Sequence, residues 1–293
     1  MRDHGEVTAS TLVSATPAVR RRVAGKWVVL SSLSGLALAG VYVAAVLTTA
    51  GQSVEDGILR SVGDDTLLQS GSALDAISPS AVLLVVALTM SVALVRRRPA
   101  AAVQSGMLIV GATLTTQVLK QFAPRPDLSG DVYANSFPSG HVTIAVAVML
   151  ALMTAFGRHA RPLVVIVSTG FAAVVAEQTV AYGWHRCSDV VGACAVALLW
   201  LGLVRVGAAR WAREPRRTDV VGPKAHALTS VVIGLALVVC LALSGAVWGI
   251  GIGSDMSLTT SSGGEGMLMG ARLAAAGVVL VTAWIAWKLD RRA

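Results

Sequence analysis

Eight long apolar runs, separated by short clusters of charge, restrict this chain more than any other feature. A helix needs about 20 apolar residues to cross a bilayer. Runs of about that length lie near 27–49, 79–95, 100–119, 141–157, 162–183, 188–207, 227–250 and 267–287. The expected fold is all-α, a polytopic membrane helix bundle of about eight transmembrane helices. Only 14% of the 293 residues are charged, against about 25% in an average soluble domain. The net charge of +8 would suit nucleic acid, but the basic residues gather at the ends of the apolar runs, where they act as topology signals. No nucleic-acid partner is expected.

The charges alternate in sign along the chain. Arg20-Arg21-Arg22, Arg96-Arg97-Arg98, Arg158/Arg161, Arg210/Arg213/Arg216/Arg217 and Lys288/Arg291/Arg292 mark one side, and Glu55, Asp56, Asp64, Asp65, Asp75, Asp255 and Glu265 the other. The positive-inside rule then puts both termini in the cytoplasm of a cell-membrane protein. Trp27, Trp211 and Trp287 are expected near the inner face and Trp184 and Trp248 near the outer one, as interfacial anchors. The first run is too long for a cleaved signal peptide and reads as a signal anchor. Cys187 and Cys194 stand seven residues apart, about 10 Å along a helix, which is too far for a disulfide. No zinc-type spacing occurs.

Residues 1–26 read as a basic cytoplasmic tail, 27–207 as the main membrane domain, 208–226 as a cytoplasmic linker and 227–293 as two additional membrane helices. Residues 50–78 form an outer segment with leucines among acids, either short amphipathic helices on the membrane surface or a plain connection. The two C-terminal helices offer a surface for lipid access or a homodimer contact.

Within this topology the polar residues converge. Lys120 ends the third run from outside and Arg125 follows it. Ser139, Gly140 and His141 open the fourth run, and His185 and Asp189 sit in the link between the fifth and sixth. All of them face one membrane surface, the extracytoplasmic one. Ser139-Gly140 before a helix offers a hydroxyl and free backbone N–H groups to an anion. Lys120 and Arg125 can neutralise phosphoryl oxygens, and such electrostatic stabilisation supplies most of the catalysis in phosphoryl transfer. His185 and Asp189 have the character of a nucleophile and its orienting carboxylate. His141 can protonate a leaving oxygen.

Lys120…Arg125-Pro126, Pro138-Ser139-Gly140-His141 and His185…Asp189 resemble the three motifs of the type 2 phosphatidic acid phosphatase superfamily, which includes membrane lipid phosphatases and vanadium haloperoxidases. The resemblance covers about residues 79–207 and implies a six-helix core and no metal or other cofactor. It implies that His185 is transiently phosphorylated, that Asp189 supports it, that His141 assists the leaving group, and that Lys120, Arg125, Ser139 and Gly140 bind phosphate. The sequence departs from the family pattern twice. Four residues separate Lys120 from Arg125, fewer than usual, and the usual spacing falls on Asp127-Leu128. Gln178 and Thr179 stand where the third motif carries Ser-Arg. Losing one such donor costs about a hundred- to a thousandfold in rate. Arg186 is either its replacement in binding phosphate or an interfacial anchor. Glu177, an acid at membrane depth, is expected to partner Arg125 or Arg186.

The implied activity is hydrolysis of a lipid phosphate or diphosphate: polyprenyl diphosphate, phosphatidic acid or phosphatidylglycerol phosphate. Opposite demands on the two histidines imply a bell-shaped pH profile. The alternatives are phospho-headgroup transfer to an alcohol and non-catalytic lipid-phosphate binding or transport. A vanadate-dependent oxidase shares the anion pocket, but eight spans argue against it.

Overall fold

The computed structural model describes residues 17–62, 73–74, 77–128, 130, 135–211, 220–253 and 261–290. Asp64, Asp65, Asp75, Asp255, Arg213, Arg216, Arg217, Arg291 and Arg292 lie outside the described residues, as does most of the basic tail.

Among the described residues every regular element is helical: α1 (Pro17–Val41), a π-helical turn (Tyr42–Val46), α2 (Thr49–Leu59), α3 (Pro79–Val95), α4 (Pro99–Phe122), α5 (Gly140–Ala155), α6 (Arg161–Ala181), α7 (Cys187–Trp211), α8 (Pro223–Gly253) and α9 (Ser261–Asp290). Six are long and apolar enough to cross a membrane, and Ser80–Val95 and Gly140–Ala155 are shorter apolar helices. The eight apolar runs of the sequence therefore correspond one to one with helices, as a multi-pass membrane protein requires. In a bilayer each backbone must satisfy its own hydrogen bonds, which helices do.

Helix starts follow local chemistry. Ser78 caps α3 by accepting from the Ala81 N–H at 3.2 Å, and Pro79 supplies a φ already suited to the first turn. Thr48 caps α2 in the same way, accepting from the Gly51 N–H at 3.0 Å. α2 settles the reading of residues 50–78 in part: ten residues of this segment are helical, with Gln52, Asp56 and Ile58 buried.

Neighbouring helices α4, α5, α6 and α7 pack around a shared core of small residues and Leu108, Met149, Leu150 and Leu201, and α1 lies along α7. Outward faces carry apolar side chains such as Leu83, Leu88, Val103, Leu114, Leu163 and Val167, as lipid contact demands. α9 packs against α6 and α7, while α8 packs chiefly on α9. Glu177 at the end of α6 pairs with Arg272 of α9, Nε to Oε1 at 2.5 Å. The expected pairing of Glu177 with Arg125 or Arg186 is thus incorrect, because α9 brings a nearer guanidinium to that face.

At the bundle end opposite the motifs, Asp290 bridges Arg161 at 3.0 Å and Arg205 at 2.8 Å. Trp27 lies under the Arg205 guanidinium, 5.6 Å from ring centroid to Cζ, and Trp287 stacks on His226 at 4.9 Å. Both tryptophans are only 1% exposed. They fill helix contacts and are not the interfacial anchors expected of them; of the others, Trp184 is exposed.

Candidate active site

The motif residues meet at one end of the bundle, where α4 ends, α5 begins and α6 hands over to α7. Ser139 caps α5: its Oγ accepts from the Val142 N–H at 3.4 Å, and its own N–H donates to the Asp189 carbonyl at 3.0 Å. The start of α5 is thereby tied to the first turn of α7. Gly192 makes this approach possible, because a Cβ there would sit 2.7 Å from the Phe137 ring. Gly183, with φ +68°, turns the chain out of α6. The Lys120 amine lies over the first turn of α5, 4.0 Å from where a Cβ on Gly140 would be.

Asp189 is fully buried. Its Oδ2 lies 3.2 Å from His185 Nδ1 and accepts from the Arg186 N–H at 2.9 Å and the Ser136 hydroxyl at 2.5 Å. An ionised carboxylate only accepts, so His185 Nδ1 carries the proton in this contact and Nε2 of the neutral ring is left with its lone pair. The His141 ring lies 6.4 Å from that of His185, centroid to centroid, and 5.6 Å from Trp184.

The two arginines sit against acids of α2. Arg186, 5% exposed, points Nε at Asp56 Oδ1 (2.8 Å) and Nη1 at Ser136 Oγ (3.1 Å). It is therefore not an exposed interfacial anchor. Arg125 places Nη2 3.7 Å from Glu55 and 3.8 Å from Asp56. At those distances its two terminal nitrogens are buried without a hydrogen-bond acceptor among the described residues. Glu55 also accepts from the Ser188 N–H and hydroxyl, both at 2.9 Å. Burial pushes its carboxyl above the ordinary 4.5, and the Asp189 charge adds to this, while the Ser188 donors and Arg125 oppose it. A cavity of about 20 Å³, room for about one water, is lined by Glu55, Ile58, His185, Arg186, Cys187 and Leu268, so both α2 and α9 border the site.

At the positions of the missing third-motif pair, Gln178 accepts from the Ala73 N–H at 2.8 Å, and the Thr179 hydroxyl donates to the Ala176 carbonyl at 2.8 Å. The Thr179 carbonyl accepts from the His185 N–H at 3.0 Å. These residues shape the backbone behind His185. Ser136, Glu55 and Asp56 are the site residues that sequence reasoning missed. Ser136 lies three residues before Ser139 on the same loop; the acids looked like markers of membrane side only.

Residues 76–213 match the family model of the PAP2 superfamily. This segment belongs to that superfamily. It spans α3 to α7 and contains every motif residue named above, whereas α2, α8 and α9 lie outside it. No curated protein and no solved structure matches the chain. Membership supports a phosphatase-type activity in a multi-pass, all-helical membrane protein.

Proposed function

We propose that the protein is an integral membrane lipid phosphatase, hydrolysing a lipid phosphate or diphosphate at the extracytoplasmic face through a phosphohistidine. The observation that carries this reading is the contact of His185 Nδ1 with the buried Asp189 carboxylate, with His141 on the neighbouring helix start. His185 Nε2 attacks phosphorus as the bond from phosphorus to the lipid oxygen breaks, and His141 gives its proton to that oxygen. Water then attacks the phosphohistidine, losing its proton to His141 as phosphate departs. Asp189 balances the positive charge that the His185 ring acquires.

Lys120 beside the first turn of α5 at Ser139-Gly140 supports the binding of phosphoryl oxygens there, and the buried Arg125 nitrogens, without a hydrogen-bond acceptor among the described residues, suit the same anion. Arg186 adds charge to the pocket while it holds Asp56 and Ser136. The lipid tail stays among the exposed apolar faces and enters sideways.

The test is phosphate release by the purified protein in detergent from phosphatidic acid, phosphatidylglycerol phosphate and polyprenyl diphosphate, with His185→Ala as control. Release that vanishes in the variant supports the reading, and the best substrate names the lipid. Full activity in His185→Ala sinks the mechanism. Loss of activity in chelator, restored by a divalent metal, sinks its metal-free form. Appearance of a phosphorylated alcohol when an acceptor is added identifies a transferase instead.

A further inference from the structure

The site holds a buried chain of polar contacts that begins outside the family segment. Asp56 of α2 faces Arg186 across 130 residues of sequence, with Oδ1 2.8 Å from Nε and 2.7 Å from Nη2. Arg186 Nη1 donates to Ser136 Oγ at 3.1 Å, Ser136 donates to Asp189 Oδ2 at 2.5 Å, and that oxygen faces His185 Nδ1. Asp56 and Asp189 are 1% and 0% exposed.

The polarity of this chain is fixed. Ser136 has one hydroxyl proton. Arg186 can only donate, so Ser136 must accept from it and spend its proton on Asp189. Asp189 Oδ2 then takes three donors, which pins the carboxylate that selects the tautomer of His185. Arg186 can hold Ser136 only while its own guanidinium is held, and Asp56 does this from α2. A buried guanidinium without its carboxylate would not stay in place.

We propose that Asp56 is a positioning residue for the nucleophile, acting through Arg186, Ser136 and Asp189. The inference rests on the phosphatase reading for its kinetic consequence but not for its geometry. α2 is then part of the catalytic apparatus although it lies outside the family match.

The test uses the full chain in detergent, with Asp56→Asn, Ser136→Ala and the double variant, and two readouts. The first is kcat and KM for phosphate release from the lipid phosphate that the parent turns over. Each single variant should lose roughly ten- to a hundredfold in kcat, the scale of a misplaced reacting group, with KM within about twofold of the parent. The double variant should be no slower than the slower single one, because both act on one chain. The second readout needs no substrate: the rate at which diethylpyrocarbonate modifies His185, followed by mass spectrometry, should rise severalfold when its Nδ1 partner is loosened.

A lowered KM with unchanged kcat in Asp56→Asn would overturn the proposal, because Asp56 would then be competing with phosphate for Arg186. Multiplicative losses in the double variant, or unchanged His185 reactivity in both single ones, would overturn it too. If the parent turns over no lipid phosphate, the phosphatase reading fails, and His185 reactivity alone decides the positioning role. Ser136→Ala leaves the Asp56–Arg186 pair intact and serves if Asp56→Asn does not fold.

Discussion

Replacing Asp189 by Asn keeps the shape of the residue that orients His185 and removes its charge. Asp189 Oδ2 takes donors from His185, Ser136 and the Arg186 backbone, so the amide oxygen of Asn must occupy that position. The amide NH2 then falls where Oδ1 is buried with no hydrogen-bond partner among the described residues. Each of the three contacts changes from charge-assisted to neutral, a loss of about 1 kcal/mol apiece. Those losses fall on ground state and transition state alike and cost stability; the barrier rises because the developing imidazolium loses its counter-charge, a charge-assisted contact of about 3 kcal/mol at most. That corresponds to a fall in kcat on the order of a hundredfold at most. KM should stay close to that of the parent, because Asp189 lies behind His185. Steady-state phosphate release in detergent, with a thermal melt to confirm folding, measures both quantities. A kcat within about threefold of the parent would refute the role given to Asp189 and to the contact on which the proposed mechanism rests.

Other outcomes follow from groups farther out. Glu55 is held above its ordinary 4.5 by burial and by Asp189, so its protonated form is favoured by folding. The stability this gives is complete below 4.5 and is lost as pH rises through the raised value. Thermal unfolding measured across pH should show that decline, and Glu55→Gln should flatten it. Arg272→Ala breaks a half-exposed pair with Glu177 and should cost at most about 1 kcal/mol, with kcat unchanged; a large loss of activity would restore Glu177 to the site. Asp290→Ala removes the carboxylate that Arg161 and Arg205 share, each mostly buried. It should destabilise by about 3 kcal/mol in a denaturation assay, without altering KM at the other end of the bundle.

The helices were legible because hydropathy is written residue by residue: all eight apolar runs became helices, with ends displaced by at most ten positions. The convergence of Lys120, His141, His185 and Asp189 was legible for a related reason, since alternating crossings force certain loops onto one face. Side-chain partners were not. Arg272 and Glu177 stand 95 residues apart and nothing near either one names the other, so a motif arginine looked the better partner. Trp27 and Trp287 show the same limit, because an aromatic at the end of an apolar run reads as an anchor until a neighbouring helix covers it.

α2 was the hardest element to read, and it bears most on the site. Eleven residues are too few to cross a membrane, and Glu55-Asp56 reads as a charge marker when only the membrane side is in question. Two adjacent acids next to the buried Ile58 acquire a different meaning once Arg125 and Arg186 stand opposite them. A phosphate pocket needs positive charge, but a buried guanidinium needs a fixed partner to keep its place before substrate arrives. Asp56 meets that need for Arg186 from outside the family segment. On the proposed reading, α2 and Arg186 together keep the order around His185 at a site where the resemblance implied an arginine and the chain has Thr179.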